Sequence, residues 1–354
     1  MATLTEELRV ATVPASPYRR FLSRHVSWVP VFAAVVILVV MIAGAMWWFP
    51  NFQLPRILSS ILLDNAYLLV LAVGMTFVIL TGGIDLSVGA VMAFTGILCA
   101  KMLSDGVPVA VTLPAMILIG AAIGLLIGVL VQFFDVQPFI ASLIGMFLAR
   151  GLAFVVSLES IKVDNEGLLW LQSTRFAFAG WYITPTGVIA LLTVALAAFV
   201  LRYTRFGRTV YAVGGNEQSA RLMGLPVVRA KLSVYVISGV CAGLAGIVLT
   251  AYSGAGYPLN GVGTELDTIA AVVIGGTLLT GGSGFVIGSM IGGVRVRLDP
   301  HDHLVLRSRT VVDAHHRRCA AAAVRRGPAR DRVALGPAAV TRSRRVRTPA
   351  RARA

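Results

Sequence analysis

Long runs without a charged residue recur through the first 293 positions of this 354-residue chain, and they leave few folds open. They occupy residues 29–48, 65–84, 109–134, 180–201, 232–252 and 268–293. Two more, 86–100 and 136–158, fit the same description, the second interrupted by Arg150. A hydrocarbon layer about 30 Å thick is crossed by about 20 helical residues. Lipid offers no partner to a bare backbone N–H or C=O. Such runs must therefore be helices, or breaks in helices that protein covers. The reading is an all-α polytopic membrane protein of about eight transmembrane helices with glycine-rich helix breaks.

Charge separates three regions: a polar segment at 1–27, the membrane region at 28–293 and a basic tail at 294–354. The tail holds 16 Arg, four Asp, four of the five His, no Lys and no Glu. It thus carries +12 of the formal +15. A tail of this composition reads as a disordered basic segment. It also reads as GC-rich coding sequence in the wrong frame. Back-translating residues 311–316 and moving one base admits Trp-Trp-Thr-Arg-Ile-Ile, and residues 298–303 admit Leu-Ile-His-Thr-Ile-Ile. Both suit a membrane helix. The competing reading, a natural tail that binds anionic lipid or nucleic acid, is weaker, and no nucleic-acid partner is expected.

Arg19, Arg20 and Arg24 precede the first run, which places the N-terminus in the cytoplasm. Counting spans forward, six of the eight precede residues 202–231, which puts that stretch on the same side. That loop is rich in Arg202, Arg205, Arg208, Arg221, Arg229 and Lys231, so count and charge agree. Residues 1–25 are polar and the first apolar run is a full span, so no cleavable signal peptide is expected. Cys99, Cys241 and Cys319 have neither pairing nor metal spacing.

Three segments carry candidate mechanism. The first is Thr81-Gly82-Gly83-Ile84-Asp85-Leu86-Ser87-Val88-Gly89, a glycine break with one carboxylate between apolar runs. Asp85 is expensive at a lipid-facing position and should face protein or a water-filled path. It caps a helix starting near Leu86, contacts the substrate, or does both. The second is a cytoplasmic stretch where Asn216 caps a short helix that ends by Gly224 and Pro226. Ala220, Met223 and Leu225 are expected along one side of it. Rimmed by arginine, this helix docks another protein or lies on the lipid surface. The third runs from Glu265 and Asp267 to Gly275, Gly276 and Gly281-Gly282-Ser283-Gly284, dense enough in glycine for close packing or another break. Arg150 lines a polar path, pairs with a carboxylate, or snorkels to the interface.

No catalytic set, P-loop or metal-spaced His/Cys cluster is present in the sequence, so no catalytic or metal-binding residue is assigned. Energy from ATP must come from a separate subunit. Few acidic residues lie in the spans, which argues against a proton-driven carrier.

Taken in order, these segments resemble the permease subunits of bacterial ABC sugar importers of the ribose/galactose class. The matching stretches are 82–89, 145–151, 204–207, 214–226 and 265–282, within residues 30–293. Residues 211–226 and 278–284 look most like the galactofuranose-importer branch. The resemblance implies about ten spans and a permease dimer, homo- or heteromeric, in the bacterial inner or plasma membrane. It also implies ATPase subunits that bind ATP-Mg, an extracytoplasmic sugar-binding protein, a sugar substrate and no cofactor on this chain. By the same resemblance, Asn216, Glu217, Gln218, Ala220, Met223, Gly224 and Pro226 belong to the helix that couples to the ATPase. Gly82, Gly83, Asp85, Ser87, Asp267, Gly275 and Gly276 are the candidates for the translocation region. The chain leaves the family pattern after Gly293. An ion- or proton-coupled secondary transporter and a nonfunctional truncated permease are the alternatives.

Overall fold

The computed structural model describes residues 29–48, 54–178 and 180–296. The segment before 29 and the tail from 297 lie outside the described residues. Among the described residues, five helices are long and apolar enough to cross a membrane: α2 (Leu54–Leu80), α4 (Val109–Phe133), α5 (Pro138–Val156), α7 (Pro185–Tyr203) and α10 (Val227–Ser253). Helix α1 (Val29–Trp48) adds 20 residues without a charge, and α3 (Val88–Ser104) is a shorter apolar helix of 17. The protein is a multi-pass, mainly helical membrane protein.

The boundaries differ from the sequence reading most at two places. Helix α2 begins at Leu54, not at residue 65, despite Arg56 and Asp64. The Asp64 carboxylate is accommodated there because the Tyr252 hydroxyl donates to it at 3.0 Å. The expected single span at 268–293 is instead two 11-residue helices, α11 (Thr264–Ile274) and α12 (Val286–Val296). Each rises only about 16 Å, half a hydrocarbon layer. They fold back on each other. A Cβ on Gly275 would sit 2.3 Å from the Gly288 carbonyl carbon, and one on Gly292 would sit 2.0 Å from the Ala271 carbonyl oxygen. Glycines at 276, 281 and 282 with φ of 91°, 86° and 73° turn the chain between them. The helix α12 crosses the composition boundary at 293 without interruption.

Helix α10 is the axle of the bundle, and glycine sets how closely its neighbours approach. A Cβ on Gly239 would lie 2.1 Å from the Gly120 carbonyl oxygen, and one on Gly124 would lie 2.2 Å from that of Tyr235. Gly243 is similarly against Met116, so four glycines at i,i+4 spacing on α4 and α10 form one seam. Gly246 meets Thr95 and Met92 of α3, and Gly74 of α2 meets Ser238 and Cys241. In lipid, where chain burial brings no hydrophobic gain, close van der Waals packing of this kind holds helices together.

At one end of the bundle lie α6 (Glu166–Ser173) and four short strands, β1 (Ile161–Lys162), β2 (Phe176–Phe178), β3 (Trp181–Ile183) and β4 (Ala255–Gly256). β1 pairs antiparallel with β4, and β2 with β3. The β2–β3 hairpin rests on α2 through Tyr182, whose N–H donates to Ser59 Oγ at 3.0 Å and whose hydroxyl lies 2.6 Å from Ser60 Oγ. The opposite end carries α8 (Arg205–Gly215) and α9 (Glu217–Leu222).

Candidate functional site

Asp85 is buried in the break between α2 and α3, and its carboxylate is fully engaged. One oxygen accepts from the backbone N–H of Ser87 at 2.9 Å and from its hydroxyl at 2.6 Å. The other accepts from Ser238 Oγ on α10 at 2.7 Å. The helix starts at Val88, two residues later than the capping reading placed it, with Ser87 as its N-cap. Asp85 thus pins the residue in front of the helix and ties the break to α10. Ser238 lies seven residues beyond Lys231, about 10 Å along the helix. Gly83 is required beside it: a Cβ there would be 2.6 Å from the Tyr235 hydroxyl, which is buried.

Asp267, the other carboxylate singled out from sequence, is exposed on the first turn of α11. The structure does not bring it together with Asp85. Arg150 binds neither carboxylate directly: its Nη1 donates to the carbonyls of Pro258 and Asn260 at 2.5 and 2.9 Å. It holds the loop that precedes α11.

What does come together is three glycine segments from distant parts of the chain. The N–H of Gly282 donates to the Leu80 carbonyl at 2.9 Å. Gly214, at the end of α8, packs into the same point: its Cβ would fall 1.7 Å from the Leu80 oxygen and 2.5 Å from the Gly282 nitrogen. A Cβ on Gly281 would meet the Gly82 nitrogen at 2.8 Å. The breaks at 81–87 and 275–285 thus share one junction with α8. Gly82 and Gly276 provide left-handed turns on its two sides, at φ of 80° and 91°. Two further contacts seat α8. Phe206 stacks on Phe77 with centroids 6.3 Å apart, and the Tyr211 hydroxyl donates to the Gly284 carbonyl at 2.9 Å. Burial raises the Tyr211 phenol above its ordinary pKa.

Only Gly215 and Asn216 separate Gly214 from α9. Thr204 caps α8, accepting from Gly207 N–H at 3.1 Å, and Asn216 caps α9, accepting from Ser219 N–H at 2.7 Å. Gly224 follows at φ 72°. Ala220 is buried against Val213, Val227 and Ala230, with Leu225 packed on them. Met223 departs from the expected side. At 68% exposure it faces outward with Leu222, at 88%: Leu222 lies about 200° around the helix from buried Ala220, and the helix stops there before Met223 can turn inward. Gln218 and Arg221 are exposed on the same helix, and Pro226 is exposed beyond it. Glu217 anchors the whole to α10: it pairs with Arg221 at 3.0 Å and with Lys231 at 2.5 Å. Leu222 and the Lys231 bridge escape a reading of the sequence. Leu222 lies within the stretch assigned to the short helix without being singled out, and nothing local announces its exposure.

Among the described residues no group of three or more His, Cys, Asp or Glu is placed to hold a metal. Cys99 and Cys241 are buried free thiols.

Residues 57–298 match the family described as branched-chain amino acid transport system / permease component. The chain belongs to this family. The fructose import permease protein FruG of Bifidobacterium longum is 46% identical over 287 residues, covering 77% of this chain and 82% of the relative. The inner membrane ABC transporter permease protein YjfF of Escherichia coli K12 is 46% identical over 246 residues, covering 69% and 74%. The ribose import permease protein RbsC of the same organism is 40% identical over 281 residues, covering 77% and 85%. No solved structure matches the chain.

Proposed function

We propose that this permease is the membrane subunit of an ATP-binding-cassette importer for a monosaccharide in a bacterial inner or plasma membrane. The carrying observation is α9: a capped helix of six residues, anchored through Glu217 and Lys231, that presents Gln218, Arg221, Leu222 and Met223 outward. In a chain whose relatives are named as import permeases for fructose and ribose, that outward face is the docking point for an ATPase subunit. Hydrolysis of ATP-Mg belongs to that subunit. A second permease subunit and an extracytoplasmic sugar-binding protein complete the assembly. Galactofuranose is the sugar that the resemblance of residues 211–226 and 278–284 favours, with fructose and ribose as the competitors.

The N-terminus and α9 are cytoplasmic. Successive helices alternate in direction, and the loop holding α8 and α9 carries Arg202, Arg205, Arg208, Arg221, Arg229 and Lys231, the excess expected on that side. Sugar passage runs past the junction of the two helix breaks, where Gly82, Gly83, Asp85, Ser87, Gly275 and Gly276 lie. Asp85 positions the break; its oxygens are already taken by serine donors. Asp267 contributes from the exposed start of α11. The change in composition at 293, with the family match stopping a few residues later at 298, supports reading the tail as out of frame.

Uptake of labelled fructose, ribose and galactofuranose by cells expressing the chain with its ATPase and binding-protein partners tests this reading. Gly224→Arg is expected to abolish uptake while leaving membrane insertion intact. Undiminished uptake in that variant, or uptake that collapses with an uncoupler while ATP is maintained, refutes it. Resequencing the DNA at the codons for residues 292–295 tests the frame; a confirmed frame refutes that part.

A further inference from the structure

We propose that the backbone junction of Leu80, Gly214 and Gly282 transmits movement of α9 to both glycine breaks, making Gly214 and Tyr211 positioning residues for transport. The proposal rests on α9 being the ATPase-docking helix. Three observations carry it. First, α9 is packed onto α8 and the start of α10. Ala220 and Leu225 pack with Val213 and Val227, and Asn216 alone joins α8 to α9. Second, the nearest atoms to Gly214, at the end of α8, are main chain. Gly214 faces the Leu80 carbonyl and the Gly282 N–H, which are bonded to each other at 2.9 Å. A contact without side chains has no rotamer through which a displacement can be absorbed. Third, the receiving segments are able to turn: Gly82, Gly281 and Gly282 all have φ between 73° and 86°. The Tyr211 hydroxyl on the Gly284 carbonyl gives α8 a second grip on the same break. A push on the outward face of α9 therefore reaches the ends of α2 and of the α11–α12 turn together, and Asp85 and Ser238 carry the first of these to α10.

The test separates ATP use from sugar movement. The full chain is reconstituted with its ATPase subunits and binding protein in liposomes. Sugar imported per ATP hydrolysed is measured with whichever of fructose, ribose or galactofuranose the unaltered transporter takes up. Gly214→Ala would place a Cβ 1.7 Å from the Leu80 oxygen and must open the junction. Tyr211→Phe removes the grip on Gly284 without adding an atom. The expected result is ATPase subunits that still co-purify, hydrolysis that persists but no longer rises with sugar-loaded binding protein, and import per ATP down at least tenfold in Gly214→Ala and two- to tenfold in Tyr211→Phe. Where Gly214→Ala does not accumulate, Tyr211→Phe decides alone. Unchanged import per ATP overturns the proposal. Failure of ATPase subunits to bind the unaltered chain refutes the docking reading instead.

Discussion

Substituting Gly239 by alanine tests the physical basis of the bundle more sharply than any other single change. The added Cβ would lie 2.1 Å from the Gly120 carbonyl oxygen, 2.9 Å from its carbonyl carbon and 3.0 Å from the Gly124 nitrogen. All three neighbours are backbone, so α4 and α10 must separate by about 1 Å to restore ordinary contact. Forcing an extra methyl(ene) into a packed core costs about 1–3 kcal/mol. Alanine's better helix propensity returns up to about 1 kcal/mol. A loss of about 2 kcal/mol is expected, because the cost falls at the upper end where no side chain can yield. Gly151→Ala is the matched control. It sits on α5 with nothing within 4 Å of the new Cβ, so only the propensity gain remains. Reversible unfolding of the two purified variants in mixed detergent micelles would measure the difference. Equal stabilities would refute the claim that glycine contact between these helices holds the fold.

Removing one donor to Asp85 with Ser238→Ala should destabilise the protein by about 1–3 kcal/mol, measured by the same unfolding assay, while Ser238→Thr keeps most of the stability. Arg150→Met strips the Pro258 and Asn260 carbonyls of their donor and should expose the 257–263 loop to added protease at least tenfold faster. Gly224→Ala forces a left-handed residue at φ 72°, costing about 1–2 kcal/mol, whereas Gly224→Asn should be milder; circular dichroism of thermal unfolding would rank them. Lys231→Gln should free the end of α9 from α10 and lower the pull-down of the ATPase subunit by several-fold; unaltered pull-down would show that the bridge to Glu217 is idle.

The apolar helices are legible because a folded chain rarely keeps some 20 consecutive residues free of charge unless lipid surrounds them. So is the short capped helix, since Asn216, Gly224 and Pro226 are local signals read within one turn of their target. The start of α2 is not legible. Asp64 looks like a boundary until Tyr252, 188 residues away, is seen to hold it. The turn between α11 and α12 hides inside an uncharged run, where glycine reads equally as packing or as reversal. Ser238 passes for a small packing residue in an apolar stretch, and only the fold shows it facing Asp85. The direction of Met223 is lost because helical periodicity does not extend past Leu222, where the helix stops.

At the contact of Leu80, Gly214 and Gly282, every facing atom is one that all amino acids share. A methyl gained on one side cannot be answered by a methyl lost on the other, since there is none to lose. Among related permeases these positions should therefore stand still rather than vary in step. Contact inference from paired substitutions, which depends on such joint change, would pass over the place where three distant segments of the chain meet.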